Sequence, residues 1–550
     1  MSIHTPALLS CVYTSEQIQQ MEKPLLENDV PLMQQASQSL AHFILSVIEH
    51  DYPNQQIQLV FLIGSGNNGA DALYAATHIA RQHPEMRNSI QVVLTSEKIH
   101  EEAFNAYSSI PNCTCMIVDN ALKHTKTTIL DNTEVINLKT LYKIAHRNNT
   151  ILIDAITGIG VRGALQEPIA KIIASCQPEQ NNPCIIACDI PSGLGINDAS
   201  IPGEILPATY TLTFGALKPC CILPPANQYC GKIYVSDISL PLNQHKPYMR
   251  IADAALAASV LRQARANDTK YSRSVAGLIT GSDTYPGAGI LSAKACALSN
   301  IGMVRYFASA SLQQMVLQTL PEVLCQPFDE HAHVQSWTVG SGVSAHDLLQ
   351  QQSVAHVLRT CVNTCMPVCV DAGALDVIQP RSLSANMIIT PHIGELARLL
   401  QRFGEHVSVE QIEQCPLFWA KKAHELTGAN VLLKGATTII VGNECDEILV
   451  NTHAPSQLAT AGSGDVLAGI IGAMLAQQSD NTRITRAAAA AVFIHSMAAF
   501  YAANTHDVCN IFQYTDRIVD SDTKIGKPII ASDIVSHIPD VIQSIMNTML

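Results

Sequence analysis

The stretch Ile57-Gln58-Leu59-Val60-Phe61-Leu62-Ile63-Gly64-Ser65-Gly66-Asn67-Asn68-Gly69-Ala70-Asp71 decides the reading of the first half of the chain. Ile57–Ile63 is an apolar run of strand length, and a helical pattern, Ala72–Arg81, follows the glycines. Glycines at a strand–helix junction let the backbone approach a ligand closely. The free N–H groups that open the next helix favour an anion such as phosphate. Many such turns only make a tight corner. Two adjacent asparagines and an aspartate add polar reach that a bare corner does not need, and an asparagine carboxamide oxygen is also a ligand for a hard cation.

Working outward, strand-like runs recur at Ser89–Leu94, Thr150–Ile153, Cys184–Cys188 and Thr209–Phe214, with helical patterns between them. Strands alternating with helices imply a parallel sheet covered on both faces. Two of these runs end in polar residues. Ile151–Ile153 leads into Asp154-Ala155-Ile156-Thr157-Gly158-Ile159-Gly160-Val161-Arg162-Gly163, and Ile185–Cys188 into Asp189-Ile190-Pro191-Ser192-Gly193-Leu194. Taken singly, each aspartate reads as a helix cap or turn residue. Ligands of a parallel sheet bind at the carboxyl ends of its strands, so three such ends can converge on one crevice.

The pattern breaks at Pro241–Arg250, resumes with a short helix at Ala252–Arg265, and breaks again at the polar run Asn267–Ser274. This places a first domain at residues 1–243, a linker region at 244–274 and a second domain at 275–550. The second domain also reads as α/β, with strands at Val275–Thr280, Trp337–Val339, Pro367–Val370, Met387–Ile389 and Asn430–Leu433. It closes with helices at Asp465–Gln477 and Thr485–Ala502. Gly462-Ser463-Gly464-Asp465 stands at the mouth of the first of these helices. Its N–H groups suit a transferring phosphate. Asp465 can take a proton from a substrate hydroxyl; seen alone it is an N-cap aspartate.

Composition bounds the rest. A length of 550 residues allows three to four average domains or two large α/β ones. Hydrophobic residues make up 47% and charged ones 14%, the reverse of a disordered chain. The longest apolar stretch, Ala487–Ala503, is broken by His495 and Ser496. It falls short of the roughly 20 residues that span a bilayer and reads as a buried, alanine-rich helix, with His495 in the core. Met1–Tyr13 lacks the basic start and apolar centre of a secretion signal. A net charge of −13 without a basic stripe argues against nucleic acid as a partner. The 17 cysteines match no metal or redox spacing and read as buried free thiols of a cytoplasmic protein.

The runs Gly64–Asp71, Asp154–Gly163, Asp189–Leu194 and Thr213-Phe214-Gly215-Ala216-Leu217-Lys218 together resemble the motifs of NAD(P)H-hydrate epimerases, in that family's order. The resemblance implies a Rossmann-like three-layer sandwich that interconverts the two epimers of hydrated NADH or NADPH. It implies substrate contacts at Asn67, Asn68, Gly69, Ala70 and Asp71, at Gly158, Ile159, Gly160, Val161, Arg162, Gly163 and Ala164, and at Asp189. It implies a potassium ion held by Asn68, Asp154 and Ser192, with Asp189 and Lys218 as the acid/base groups. Ala70 and Ala72 stand where the family has glycine, and their added methyl groups are expected to narrow the site.

The second half is similar to ribokinase-like proteins, and six ordered motifs resemble those of NAD(P)H-hydrate dehydratases. These are Tyr285-Pro286-Gly287-Ala288-Gly289, Gly340-Ser341-Gly342, Asp371-Ala372-Gly373-Ala374-Leu375, Thr390-Pro391-His392-Ile393-Gly394-Glu395, Lys434-Gly435-Ala436-Thr437-Thr438 and Gly462–Asp465. The resemblance implies nucleotide binding at Lys434, Gly435, Ala436, Thr437, Thr438 and Gly464. It implies the hydrated nicotinamide nucleotide at Ala288, Gly342, His392 and Asp465, and Asp465 as catalytic base. The co-substrates implied are ADP and Mg²⁺, and a homo-oligomer is implied as well. Gly373 stands where the family often has aspartate. The alternative reading is a ribokinase-like hydroxyl kinase fused to a non-catalytic nucleotide-binding domain.

Overall fold

The computed structural model describes residues 7–121, 133–178, 183–443, 447–452, 454–478, 483–504, 512–514 and 526–548. The chain divides into two compact units. One holds Ala7–Tyr248 together with the strand Phe512–Tyr514; the other begins at Met249 and includes the remaining described residues.

The first unit is built on a wholly parallel sheet. Its strands are β1 (Gln58–Ile63), β2 (Ile90–Leu94), β3 (Thr114–Val118), β4 (Glu134–Ile136), β5 (Thr150–Ala155), β6 (Cys184–Cys188), β7 (Tyr210–Phe214) and β8 (Lys232–Ser236). The spatial order is Phe512–Tyr514, β8, β7, β6, β5, β1, β2, β3, β4. The central strands β5, β6 and β7 are buried at every position, as a parallel sheet covered on both faces requires. Chain order reverses at β1, which pairs with β2 on one side and β5 on the other. The expected crevice belongs at such a reversal. The register sets Leu62 opposite Asp154, and Gly64 N–H bonds Ala155 O at 3.1 Å.

The second unit has strands β9 (Met249–Ile251), β10 (Val275–Ile279), β11 (Met303–Phe307), β12 (Leu324–Gln326), β13 (Ser336–Val339), β14 (Val368–Val370), β15 (Met387–Ile389), β16 (Asn430–Leu433), β17 (Thr438–Val441) and β18 (Ile448–Asn451). Their order is β9, β18, β17, β16, β15, β14, β13, β10, β11, β12. All pairings are parallel except those of β17 with β16 and β18. Here the order reverses at β10, which pairs with β11 and β13. Helices Ser463–Ala476 and Ile484–Ala503 pack on each other and on the sheet. The second is long and apolar enough to cross a membrane, yet 83% of its most apolar window is buried. Its alanines fill the core, as the sequence led us to expect.

Residues 244–274 are not a linker. Met249–Ile251 runs parallel to β18, with Met249 opposite Ile448, and helix Ala254–Val260 buries Leu256 and Val260 against Ile484–Ala503. The two prolines and polar residues before Met249 mark the end of the first unit, and the apolar residues after it complete the second.

Candidate active sites

In the first unit the carboxyl ends of β1, β5, β6 and β7 open into a cavity of about 800 Å³. Helix Asn67–Gln82 points its N-terminus there. Its N-cap, Gly66, has no side chain to bond the first-turn N–H groups, which leaves them for a ligand. Asn67, Asn68, Asp71, Gly158, Ile159, Gly160, Val161, Arg162, Ala164, Asp189 and Lys218 all line the cavity. Gly69, Ala70 and Gly163 do not. A Cβ at Gly69 would stand 2.3 Å from Gly64 O, so this glycine serves the close packing of the turn. Ala70 and Ala72 are buried in the core and narrow nothing, because the helix turns both methyl groups away from its open face.

Asp154 is fully buried. It accepts from Ser192 Oγ at 2.6 Å, from Ser192 N at 2.8 Å and from Ile156 N at 3.3 Å. Burial pushes its carboxyl up to about 6 against the pull of those hydrogen bonds. Asn68 donates from Nδ2 to Thr157 O at 2.8 Å, and Thr157 N donates to Ser192 Oγ at 3.0 Å. The three residues expected around potassium therefore form one connected cluster.

Asp189 takes a left-handed backbone, φ 68°, a conformation uncommon outside glycine and asparagine and frequent at functional sites. Its Oδ1 accepts from Lys218 Nζ, from Thr213 Oγ1 at 3.0 Å and from Phe214 N at 3.3 Å. Lys218 is buried, and its other donors go to Thr213 Oγ1 at 2.7 Å and Phe214 O at 3.0 Å. With all three N–H bonds of the ammonium engaged, Lys218 fixes the Asp189 carboxylate in the cavity wall. The sequence did not single out Glu22. Helix Ser15–Glu27, started by a Thr14–Gln17 capping box, carries it into the cavity lining. Burial pushes its carboxyl up; Lys218 opposes and Asp189 adds to the shift. Burial, then the charges of Asp189 and Glu22, hold Asp71 well above the usual carboxylate range. A glutamate on an amphipathic helix carries no sequence signal that sets it apart from a solvated one.

In the second unit the ends of β10, β13, β14, β15 and β16 converge. Gly281 N–H bonds Ser341 O at 2.7 Å, and Lys434 N–H bonds Pro391 O at 2.9 Å. A second carboxylate–lysine pair lies at the centre. Asp371 accepts from Lys434 Nζ at 2.9 Å, from Thr390 Oγ1 at 2.7 Å and from Ser341 Oγ at 2.7 Å. Burial works to raise its carboxyl, but the Lys434 charge and these hydrogen bonds hold it below its ordinary value. Glu395 lies 3.8 Å from Lys434 Nζ. The sequence placed Lys434 and Asp371 in separate motifs; their pairing across 63 residues is a product of the fold.

Helix Ser463–Ala476 opens beside this pair. Its N-cap, Gly462, has φ 87° and no capping side chain. A Cβ at Gly464 would stand 3.7 Å from Lys434 Nζ, so Lys434 and the loop face one point. Burial, reinforced by the Asp371 charge and opposed by Lys434, raises the Asp465 carboxyl to about 6. A Cβ at Gly342 would stand 2.5 Å from the methyl of Ala288, so these two predicted contacts touch. His392 is both cap and exposed group. Its Nδ1 accepts from Gly394 N at 3.0 Å and Glu395 N at 3.4 Å, and its Nε2 lies 3.6 Å from Glu395 Oε1. Thr437 and Thr438 are buried at the start of β17, whereas Gly435 and Ala436 are exposed. Ser341, Thr390, Asp371 and Glu395 are the functional neighbours that the sequence left unassigned. Residue 373 has no room for the family's aspartate, since a Cβ there would lie 2.2 Å from Val343 O.

Two family models match the chain in this order: YjeF-related protein N-terminus over residues 30–220 and NAD(P)H-hydrate dehydratase over residues 276–519. Full-length relatives share both halves. The bifunctional NAD(P)H-hydrate repair enzyme of Mycobacterium tuberculosis is 32% identical over 475 residues, covering 84% of this chain and 89% of the relative. That of Mycobacterium leprae is 32% identical over 503 residues, covering 89% and 94%. Among solved structures, an ADP/ATP-dependent NAD(P)H-hydrate dehydratase from Bacillus subtilis is 24% identical, covers 54% of this chain and 98% of its own, and has a TM-score of 0.44. The two halves, matched in order and over nearly the whole length of such relatives, show that the chain belongs to the family of bifunctional NAD(P)H-hydrate repair enzymes.

Proposed function

We propose that each unit performs one step in the repair of hydrated NADH and NADPH: the first epimerises the hydrate, and the second dehydrates the S epimer at the expense of ADP. One observation carries the reading. Each unit sets an uncapped helix mouth beside a buried carboxylate–lysine pair at the carboxyl ends of its strands, Asp189–Lys218 in one and Asp371–Lys434 in the other.

In the first unit, Asn67, Asn68, Asp71, residues 158–162, Ala164 and Asp189 would contact the hydrate. Epimerising the hydrated ring carbon requires proton transfer at a carbinolamine, which a positioned carboxylate provides. Asp189 would move that proton while Lys218 holds the carboxylate in place. Asn68, Asp154 and Ser192 fit a potassium ion, because Asp154 is buried with only neutral hydrogen-bond donors around it. When bound, the ion would supply the compensating positive charge.

In the second unit, Lys434–Thr438 and the N–H of Gly464 would hold the ADP phosphates, with Ala288, Gly342 and His392 around the hydrate. Asp465 would take the proton of the substrate hydroxyl as its oxygen attacks the terminal phosphorus, releasing AMP. The ring nitrogen lone pair would then expel phosphate as the C–O bond breaks. Loss of a neighbouring ring proton would restore the dihydronicotinamide. Mg²⁺ would arrive with the nucleotide and neutralise phosphoryl charge, as it is usually held by phosphates and few carboxylates.

The test is hydrated NADH incubated with Mg²⁺ and either ADP or ATP. Recovery of NADH absorbance is expected, and no recovery with either nucleotide refutes the reading. A stable phosphorylated product in place of NADH would mark a hydroxyl kinase instead. We also propose a cytoplasmic homo-oligomer; buried cysteines such as Cys188, Cys296 and Cys369 are free thiols, which suits a reducing compartment.

A further inference from the structure

Helix Ser15–Glu27 lays one face along the cavity of the first unit. Ile18, Gln19, Glu22 and Leu26 all line it. Their spacing of i, i+1, i+4 and i+8 is a single helical stripe, and Glu22 is its one ionisable member. The other charges of this helix are paired. Glu16 accepts from Arg162 Nη2 at 2.7 Å and from Asn197 Nδ2 at 2.8 Å, and Lys23 lies 4.0 Å from Glu27 with both side chains exposed. Glu22 has no hydrogen bond or ion pair among the described residues.

The rotation of the helix is fixed at its start. Tyr13 N–H bonds Leu217 O at 3.0 Å, next to Lys218 in the chain. Ser15 N–H bonds Asn197 Oδ1 at 2.9 Å, and Gln17 Nε2 donates to Lys246 O at 2.9 Å. Ile18 and Met21 are buried. Glu22 is therefore held at the cavity, and a carboxylate without a donor is costly to keep there. Two other carboxyl groups line the same cavity. Asp189 is bonded to the ammonium of Lys218, whose N–H groups are all engaged. Asp71 has Oδ1 sealed in the protein without a partner. Glu22 is only half-buried and open to a ligand. Burial favours its neutral form; Lys218 opposes this and Asp189 reinforces it.

Inverting a carbinolamine carbon calls for two proton-carrying groups. Hydroxide is a poor leaving group, so an acid must turn it into water, while a base takes a proton from the water that replaces it. Two carboxyl groups in unlike surroundings divide these roles. Asp189 comes from a strand end with a lysine bonded to it, and Glu22 comes from a helix with none.

We propose that Glu22 is a second catalytic residue of the first unit, the proton donor to the hydroxyl of the hydrate, working with the Asp189 carboxylate as acceptor. This rests on the epimerase reading above. The Glu22 proton passes to the hydroxyl oxygen, the C–O bond breaks as the ring nitrogen lone pair forms a C=N bond, and water leaves. A second water adds to the carbon from the other face and gives a proton to Asp189, and the C=N electron pair returns to nitrogen. Transfer of that proton from Asp189 to Glu22 through solvent resets the pair.

The test uses the full chain without nucleotide, starting from one epimer of hydrated NADH in ¹⁸O-labelled water and following the other by chromatography. Wild type, Glu22→Gln and Glu22→Asp are compared. The glutamine keeps the shape but has no carboxyl proton to transfer; the aspartate restores a carboxyl. For Glu22→Gln we expect kcat of exchange to fall about a hundredfold, with KM within about twofold. Glu22→Asp should recover part of that loss, and the new epimer should carry solvent oxygen. A wild-type kcat in Glu22→Gln overturns the proposal, including the case in which only KM rises, which makes Glu22 a binding contact. Equal loss of rate in both variants also overturns it, and a lower melting temperature in both then assigns Glu22 to packing. A new epimer that retains its original oxygen refutes the two-face step. Wild-type protein that exchanges epimers no faster than buffer refutes the epimerase reading itself and this assignment with it.

Discussion

Asp189 is bonded to Lys218, and Asp465 lies near Lys434. Asp465 is raised to about 6 because burial and the Asp371 charge outweigh Lys434. A base must be ionised to act, so kcat/KM for dehydration should be level above about pH 6 and fall about tenfold per pH unit below it. A profile flat down to pH 5 would remove Asp465 from that role. Asp189 is fixed by three donors. Asp189→Ala should slow epimer exchange by about a hundredfold or more, the usual worth of a proton-transferring group, while dehydration of the S epimer is unaffected. An unchanged exchange rate would make the first unit a binding module. Lys434→Met leaves Asp371 buried and uncompensated, which costs about 3–5 kcal/mol. Chemical denaturation should show this loss, together with weaker ADP binding.

At the scale of elements, two helix mouths do the positioning. Helix Ser463–Ala476 starts from Gly462 at φ 87°, where a Cβ would stand 2.6 Å from Leu291 Cδ1. Gly462→Ala should therefore cost about 1–3 kcal/mol in strain and lower dehydratase kcat by shifting the loop. An alanine variant with wild-type melting temperature and rate would show that the turn tolerates a side chain. The glycine-rich turns and long helices were legible in the sequence because strand, glycine and polar residue follow one another locally. The edge strands were not. Glu134–Ile136 exposes two of its three residues, so it lacks an apolar run. Thr438–Val441 and Ile448–Asn451 form an antiparallel insertion that the alternating β/α pattern does not announce.

At the scale of the molecule, the boundary of the second unit lies at Met249. Met249, Ile251, Leu256 and Val260 are buried in that unit, and each contributes about 1.5–3 kcal/mol by burial. A fragment of residues 249–550 should melt well above one of residues 275–550, and the shorter fragment should aggregate. Equal melting temperatures would return 249–274 to the status of a linker.

The sequence by itself determined two large α/β units, their order, and the loops that carry Asn68, Asp154, Asp189, His392 and Asp465, because each of these signals is local. Only the tertiary structure paired Lys434 with Asp371, brought Glu22 beside Asp71, and turned Ala70 and Ala72 into the core. Those relations join residues far apart in the chain. They depend on strand register and helix rotation, which apolar periodicity leaves unspecified.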